Sequence, residues 1–388
     1  MKVLIVSSMN QTSQTGVTAH YNRLLSTLPG SVESVTLLTP DDAPWAIRKL
    51  LGLTRRIASL LGTKGHLFHI EFDNFVSIWS ATRQHRKGSF DIIHAQDVNA
   101  GAAAYLGLNK QVNSLVTCHF NNDPVYEYQL KYTLSHRTEQ QLRNWYSYLF
   151  NQNAAFITVS EYIKSTSSAW RPEGVLCEVI QNGVAFPKQQ PRIAQDKLTI
   201  VNVGTVEERK NQRLLIEAAE ALRNKGFTNF QVLLLGDGPK RQEWQKLIDD
   251  KNLSEYVSFL GFRKDADAYI QQASLYVHTA INESWGYTIT EAIALGTPVI
   301  ALATGGIPEQ FNKRKPGLIA KNATANELAD AILMYRDEDQ QNELAAKQFA
   351  FASERFNLTS MIKKHVALYH IVAGRPKKSV AVKTMIEQ

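Results

Sequence analysis

A chain of 388 residues exceeds one compact domain of ordinary size, and its 44% apolar content is that of a globular protein, which excludes a disordered one. The two cysteines, Cys118 and Cys177, are far apart and in no metal-ligand spacing; this excludes a disulfide scaffold and fits free buried thiols in a reducing compartment. The formal net charge of +7 is modest for this length, so the position of the cations matters more than their number.

In chain order, residues 2–8 (KVLIVSS) read as a buried strand, 9–16 as a polar loop and 17–28 as a helix by spacing. The opening run is too short, and ends without a small-residue cleavage site, to be a secretory leader. No stretch approaches the roughly 18 consecutive apolar residues of a membrane span. A second strand is expected over 34–39. Residues 43–67 then carry Trp45, Ile47, Leu50, Leu51, Leu53, Ile57, Leu60 and Leu61 beside Arg48, Lys49, Arg55, Arg56 and Lys64, with no acid among them. A basic amphipathic helix with a tryptophan suits a membrane interface, anionic lipid contributing about 1 kcal/mol per nearby cation. Trp45, Arg48, Lys49, Arg55 and Arg56 are the candidate contacts, and Arg83, Arg86 and Lys87 extend the patch. The alternative is a core-facing helix with a basic outer side.

Further strands are expected over 90–96, 114–119 and 156–160. Between the last two, 121–149 is rich in Tyr and Trp (Tyr126, Tyr128, Tyr132, Trp145, Tyr146, Tyr148), faces that suit either sugar rings or a helix core. The Asn182–Gly183 turn, two prolines and a loss of periodicity mark a boundary. We therefore expect domains over 1–185 and 197–355, a linker over 186–196, and a crossover helix with a basic tail over 356–388.

The second half opens with a strand ending at Gly204. Its following loop carries Arg209 and Lys210, adjacent cations suited to neutralising a diphosphate at the carboxyl end of a sheet. Strands over 230–238 and 257–262 follow. Asp265–Ala266–Asp267 has a metal-binding D-x-D look but precedes a helix expected over 268–274, where acids are helix-start residues, so no metal is assigned. Residues 275–280 form a strand, 281–286 a polar turn, 287–295 a helix closed by Gly296 and Pro298, and 299–303 another strand. N–H groups of Gly286, Tyr287 and Thr288 at that helix start suit phosphate. Glu283 and Glu291 suit vicinal hydroxyls, one on a sugar and one on a ribose. From 326 to about 373 the spacing is helical.

The E-x7-E spacing of Glu283 and Glu291, the strand TPVIA at 297–301, the turn GGIPE at 305–309 and GDGP at 236–239 resemble the donor site of retaining glycosyltransferase family 4, of GT-B fold. In the first half Asp91–Ile93–His94–Ala95–Asp97, Thr117–His119 and Ile157 to Glu161 match the same family in the same order. The resemblance implies an α/β fold of two Rossmann-like domains facing across a cleft, with a C-terminal helix crossing back to the first domain. It implies transfer of a sugar, with retention, from a nucleotide diphosphate sugar (a UDP-sugar first among donors) to a hydroxyl of a glycan or lipid-linked acceptor, as in cell-surface polysaccharide or glycolipid synthesis. It assigns His119 to the donor sugar, Gly16 to the phosphate loop, and Phe262 and Arg263 to the base. Two departures stand out. The family's adjacent glycines are Thr15–Gly16 here, and Thr205 stands where the family's G-R-x5-K loop has arginine, so Arg209 is read as the displaced guanidinium and Lys210 as the usual lysine. Glu283, His119, Arg209 and Lys210 are the expected catalytic set. Neither cofactor nor metal is expected, nor nucleic acid as a partner, because the cations cluster on an apolar-backed helix. The expected location is the cytoplasm, with peripheral attachment to the inner face of the plasma membrane. A nucleotide-sugar 2-epimerase-like isomerase and a non-catalytic sugar-binding protein are the alternatives on this fold.

Overall fold

The computed structural model describes residues 1–13, 15–86, 90–188, 196–312 and 316–376. Lys87, most of the expected linker and the tail beyond 376 lie outside them. The chain divides into two units, Met1–Ile180 with Ile362–Gln388, and Gln181–Met361.

The first unit runs β1 (Lys2–Val6), α1 (Gly16–Thr27), β2 (Ser34–Leu38), α2 (Trp45–Leu60), α3 (Gly62–Gln84), β3 (Ile92–Ala95), α4 (Val98–Gly107), β4 (Ser114–Cys118), α5 (Tyr126–Gln129), α6 (His136–Gln152), β5 (Ala155–Thr158), α7 (Glu161–Thr166) and β6 (Leu176–Val179). Its sheet is parallel in the order β2-β1-β3-β4-β5-β6. Strands β1, β3, β4 and β5 are near-continuous apolar runs because helices cover both faces of such a sheet.

The second unit runs β7 (Leu198–Val203), α8 (Gln212–Asn224), β8 (Phe230–Leu235), α9 (Arg241–Asp250), β9 (Val257–Gly261), α10 (Ala266–Gln272), β10 (Leu275–His278), α11 (Tyr287–Ala294), β11 (Val299–Leu302), β12 (Leu318–Ile319), α12 (Ala325–Met334) and α13 (Glu338–Arg355); α14 (Leu358–Ala373) follows, and its residues from Ile362 belong to the first unit. Its sheet is also parallel, in the order β12-β11-β10-β7-β8-β9. Its core joins Ile200, Val232, Leu234 and Val277 of the strands to Leu215, Ala219 and Leu222 of α8 and Ile332 of α12.

Two expectations are corrected. The 43–67 segment is not one helix: α2 ends at Leu60 and α3 starts at Gly62, whose φ of +68° breaks the helical path without the strain a Cβ would bring. The 326–373 region is helical as expected, in three helices, α12 to α14. The helix expected from Ala268 starts at Ala266, with Asp265 at its cap. Both cysteines are free, with Cys118 buried and Cys177 only partly so.

Candidate functional site

In an open parallel sheet, a crevice forms where neighbouring strands send their connections to opposite sides. In the second sheet that point lies between β7 and β10, which pair through Leu275↔Ile200 and Tyr276↔Val201. The loops leaving these two strands carry the predicted donor residues. They are stitched together by main chain: Ile281 N–H donates to the Arg209 carbonyl (3.0 Å), and Thr279 Oγ1 donates to the Lys210 carbonyl (3.0 Å). That stitching brings the two cations onto Glu283. Lys210 Nζ lies 2.5 Å and Arg209 Nη1 3.3 Å from Glu283 Oε2. Arg209 also donates to Glu207 Oε1 (2.7 Å) and the Asn282 carbonyl (3.2 Å). Thr205, at the family's arginine position, carries no cation; its carbonyl accepts from Gln212 Nε2 (3.0 Å). Gly204 lies along the Lys210 stem, where a Cβ would sit 3.6 Å from its methylenes.

Glu283 is 8% exposed. Burial pushes its pKa up, but Lys210, the His278 imidazole and Arg209 outweigh burial and hold the carboxyl well below the usual range. His278 closes the back of this network, with Nε2 3.6 Å from Glu283 Oε2 and Nδ1 3.3 Å from the Tyr276 hydroxyl. Burial, more than the Lys210 and Arg209 charges, pushes the His278 pKa down against the pull of Glu283.

The loop from Asn282 to Gly286 is fixed on both sides. Trp285 Nε1 donates to Thr290 Oγ1 (3.1 Å), Thr290 donates to Gln310 Oε1 (2.6 Å), and Gln310 Nε2 returns to the Trp285 carbonyl. The GGIPE turn folds against it: Gly306 N–H donates to the Glu283 carbonyl (3.0 Å). Gly305, at φ +53°, is required there because a Cβ would stand 1.9 Å from the Glu283 carbonyl oxygen. Gly286 caps α11 in the left-handed region, leaving the Tyr287 and Thr288 N–H groups in the first turn. Glu291 lies on the same helix, partly buried.

In the second unit Phe262 and Arg263 follow β9, two strands from β7 in the sheet order. Arg263 is committed to Asp265 through Nε (3.0 Å) and Nη2 (2.9 Å) and stacks over Tyr269 at 5.1 Å. Phe262 is 52% exposed. In the first unit Gly16 is the first residue of α1, after the Thr15 cap. His119 follows β4, its Nε2 3.1 Å from Gln96 Oε1; burial first, then the nearby His365, takes its pKa down to about 3.

Helix α2 seats Leu51 inward, and His69 Nε2 meets the Leu51 carbonyl (3.2 Å) and Thr54 Oγ1 (3.1 Å). Leu50, Leu53, Ile57 and Leu60, at i, i+3, i+7 and i+10, face outward with 56–85% exposure, as does Trp45 at 68%. Arg48, Lys49, Arg55 and Arg56 are exposed beside them, and Lys49 lies over the Trp45 ring at 5.0 Å. The core-facing alternative is therefore corrected, since most of the apolar surface of this helix points to solvent.

Of the six aromatics of the 121–149 stretch, Tyr146 is buried, Tyr148 is exposed and the other four are half-buried. Glu71 of α3, buried with no cation within salt-bridge distance in the described residues, accepts from Tyr128, from Tyr146 (2.8 Å), from Trp145 Nε1 (3.1 Å) and from Asn99 Nδ2 (2.8 Å). Sequence reasoning missed Glu71, because its donors come from 28 to 75 residues away. It also missed His278, although a histidine at the carboxyl end of an apolar strand was a legible signal.

Two family descriptions match the chain: "Glycosyltransferase Family 4" over residues 15–186 and "Glycosyl transferases group 1" over 185–349. Among curated relatives, the alpha-monoglucosyldiacylglycerol synthase of Acholeplasma laidlawii is 32% identical over 125 residues, covering 30% of this chain and 31% of the relative. The first curated relatives are matched over less than half of their own length. Among solved structures, Anabaena HepE in complex with UDP and glucose superposes with a TM-score of 0.70 at 18% identity, covering 96% of this chain and 100% of that one. Sucrose-phosphate synthase of Thermosynechococcus elongatus gives a TM-score of 0.73 at 19% identity, over 96% and 99%. These likenesses fix the fold of the chain as GT-B.

Proposed function

Because this chain belongs to glycosyltransferase family 4, we propose that it moves a sugar, with retention at the anomeric carbon, from a UDP-sugar to a hydroxyl of a lipid-linked or glycan acceptor. One observation carries the reading: a buried carboxylate, Glu283, neutralised by Lys210 and Arg209 at the switch point of a parallel sheet, beside the N-terminus of α11. A carboxylate paired with two cations at this point is suited to a donor that engages both signs of charge. The diphosphate takes the cations, and the sugar hydroxyls take the carboxylate.

The chemistry follows from this charge balance. The bond between the anomeric carbon and the β-phosphate oxygen breaks, the acceptor oxygen bonds to that carbon, and the acceptor proton passes to the departing diphosphate. Negative charge growing on the leaving oxygens is stabilised by Lys210, Arg209 and the N–H groups of Gly286, Tyr287 and Thr288, so the reaction runs without a metal ion on the diphosphate. Glu291 holds the ribose hydroxyls.

UDP is favoured because HepE is solved with UDP and glucose. A lipid-borne acceptor is favoured by the outward apolar and basic surface of α2, and by the diacylglycerol product named for the Acholeplasma relative. No described helix is long and apolar enough to cross a membrane. A thermal-shift panel of UDP-, GDP- and ADP-sugars tests the donor: a UDP-sugar should raise the melting temperature in wild type and far less in Glu283→Ala. Absence of any shift across the panel, or conversion of the donor to an isomer with no acceptor present, would overturn the transferase reading.

A further inference from the structure

The first unit contains a group of side chains that the transfer chemistry does not use. His20 of α1, His94 of β3 and His365 of α14 are all fully buried, and one ring nitrogen from each lies within 4.8 Å of the other two. Their ring centroids are 5.3 Å (His94–His365), 5.7 Å (His20–His365) and 6.4 Å (His20–His94) apart. We propose that these three imidazoles form a binding site for a single zinc-class divalent ion that fastens the C-terminal helix to the sheet of the first unit.

The geometry is close to what such an ion needs. With bonds of about 2.0–2.1 Å at tetrahedral angles, three ligand nitrogens stand roughly 3.4 Å apart and their ring centroids about 5 Å apart. The His94–His365 and His20–His365 centroids are near that spacing, and His20 and His94, at 6.4 Å, must draw together by about 1.4 Å to share an ion. The donor set selects the metal: three imidazoles without a carboxylate suit zinc, copper, nickel or iron and reject calcium and magnesium. Metal binding requires neutral imidazoles, so the affinity of such a site falls as pH falls.

Orienting partners are also in place. His94 meets the Tyr369 hydroxyl at Nδ1 (2.7 Å) and Thr117 Oγ1 at Nε2 (2.8 Å). One of these bonds yields to the ion, and the other holds the ring, as outer-shell partners of histidine ligands do. His119 packs edge-on to His20 at 4.9 Å, with its Nε2 turned to Gln96 Oε1. The ligands come from chain positions 20, 94 and 365, so an ion here holds together segments that are far apart in sequence, and its binding energy is folding energy. The site shares no residue with the Glu283–Lys210 network, so its failure would leave the transferase proposal standing.

The test uses the full-length chain, freed of any histidine tag and stripped with a chelator, then titrated with Zn(II) and with Co(II). The expected result is one ion retained per chain by elemental analysis, visible absorption of four-coordinate nitrogen-ligated Co(II), and a higher melting temperature. His365→Gln should lose the cobalt spectrum and weaken zinc binding more than a hundredfold. Tyr369→Phe and Thr117→Val both keep all three ligands, and the one that removes the retained outer-shell bond to His94 should weaken it about 10- to 100-fold. If His365→Gln does not fold, the wild-type cobalt spectrum and these two variants decide. Less than stoichiometric retention by wild type, no cobalt spectrum, or equal zinc affinity in a folded His365→Gln would overturn the proposal.

Discussion

Lys210→Met removes the charge nearest Glu283 while keeping most of the side-chain volume. At 2.5 Å the pair attracts by about 7 kcal/mol at an effective dielectric constant of 20, and desolvating both charges offsets much of that. Deleting one partner of a buried pair typically costs about 3–5 kcal/mol. Arg209 remains 3.3 Å from the carboxylate, so the lower figure, about 3 kcal/mol, applies. For a unit the size of Gln181–Met361 that corresponds to a fall in melting temperature of about 6–12 °C. Turnover should fall by about 10²–10³, since a cation that stabilises the departing diphosphate is gone. The pH dependence provides a second check. The folded-state pKa of Glu283 is depressed, so its contribution is complete above the ordinary value of 4.5 and is lost as pH falls through the folded-state pKa. The gap between wild type and variant should therefore be widest near neutrality and narrow on acidification below about pH 4.5. Calorimetry and a coupled UDP-release assay measure both effects. A variant that melts within about 2 °C of wild type and keeps more than a tenth of its turnover would refute the assigned role of this pair.

Gly305→Ala places a Cβ 1.9 Å from the Glu283 carbonyl oxygen at a φ of +53°, so the loop must move; donor-induced thermal stabilisation should be largely lost in a protein that still folds by circular dichroism. Arg55→Glu with Arg56→Glu should release the chain from anionic vesicles by sedimentation, while neutral vesicles bind neither form appreciably; equal binding of both forms would remove α2 as the membrane contact. Turnover should be the same with and without added magnesium or manganese, and a strong requirement for either would return Asp265 and Asp267 to consideration.

Legibility from sequence followed the range of the interactions. The strands were readable because a parallel sheet covered on both faces demands apolar runs, as at Val3–Val6 and Val299–Leu302. The strand–loop–helix unit that carries Glu283 and Glu291 was readable because its parts are consecutive, β10, Glu283, Gly286 and α11. The helix break at Gly62 was missed because spacing alone does not reveal a positive φ. The aromatics of 121–149 were read as ambiguous, and the carboxylate that engages Tyr128, Trp145 and Tyr146 lies in α3, outside any local window.

By itself the sequence determined the alternation of strand and helix, the family, and the residue types able to balance a diphosphate and a sugar, since these are properties of local pattern. Tertiary structure decided which groups meet. It placed Arg209 and Lys210 on Glu283 across more than 70 residues of chain, set His278 behind them, turned the apolar stripe of α2 to solvent, and gathered three histidines from α1, β3 and α14 into one buried group. Such contacts depend on sheet order, and sheet order is fixed by packing, which no short stretch of sequence encodes.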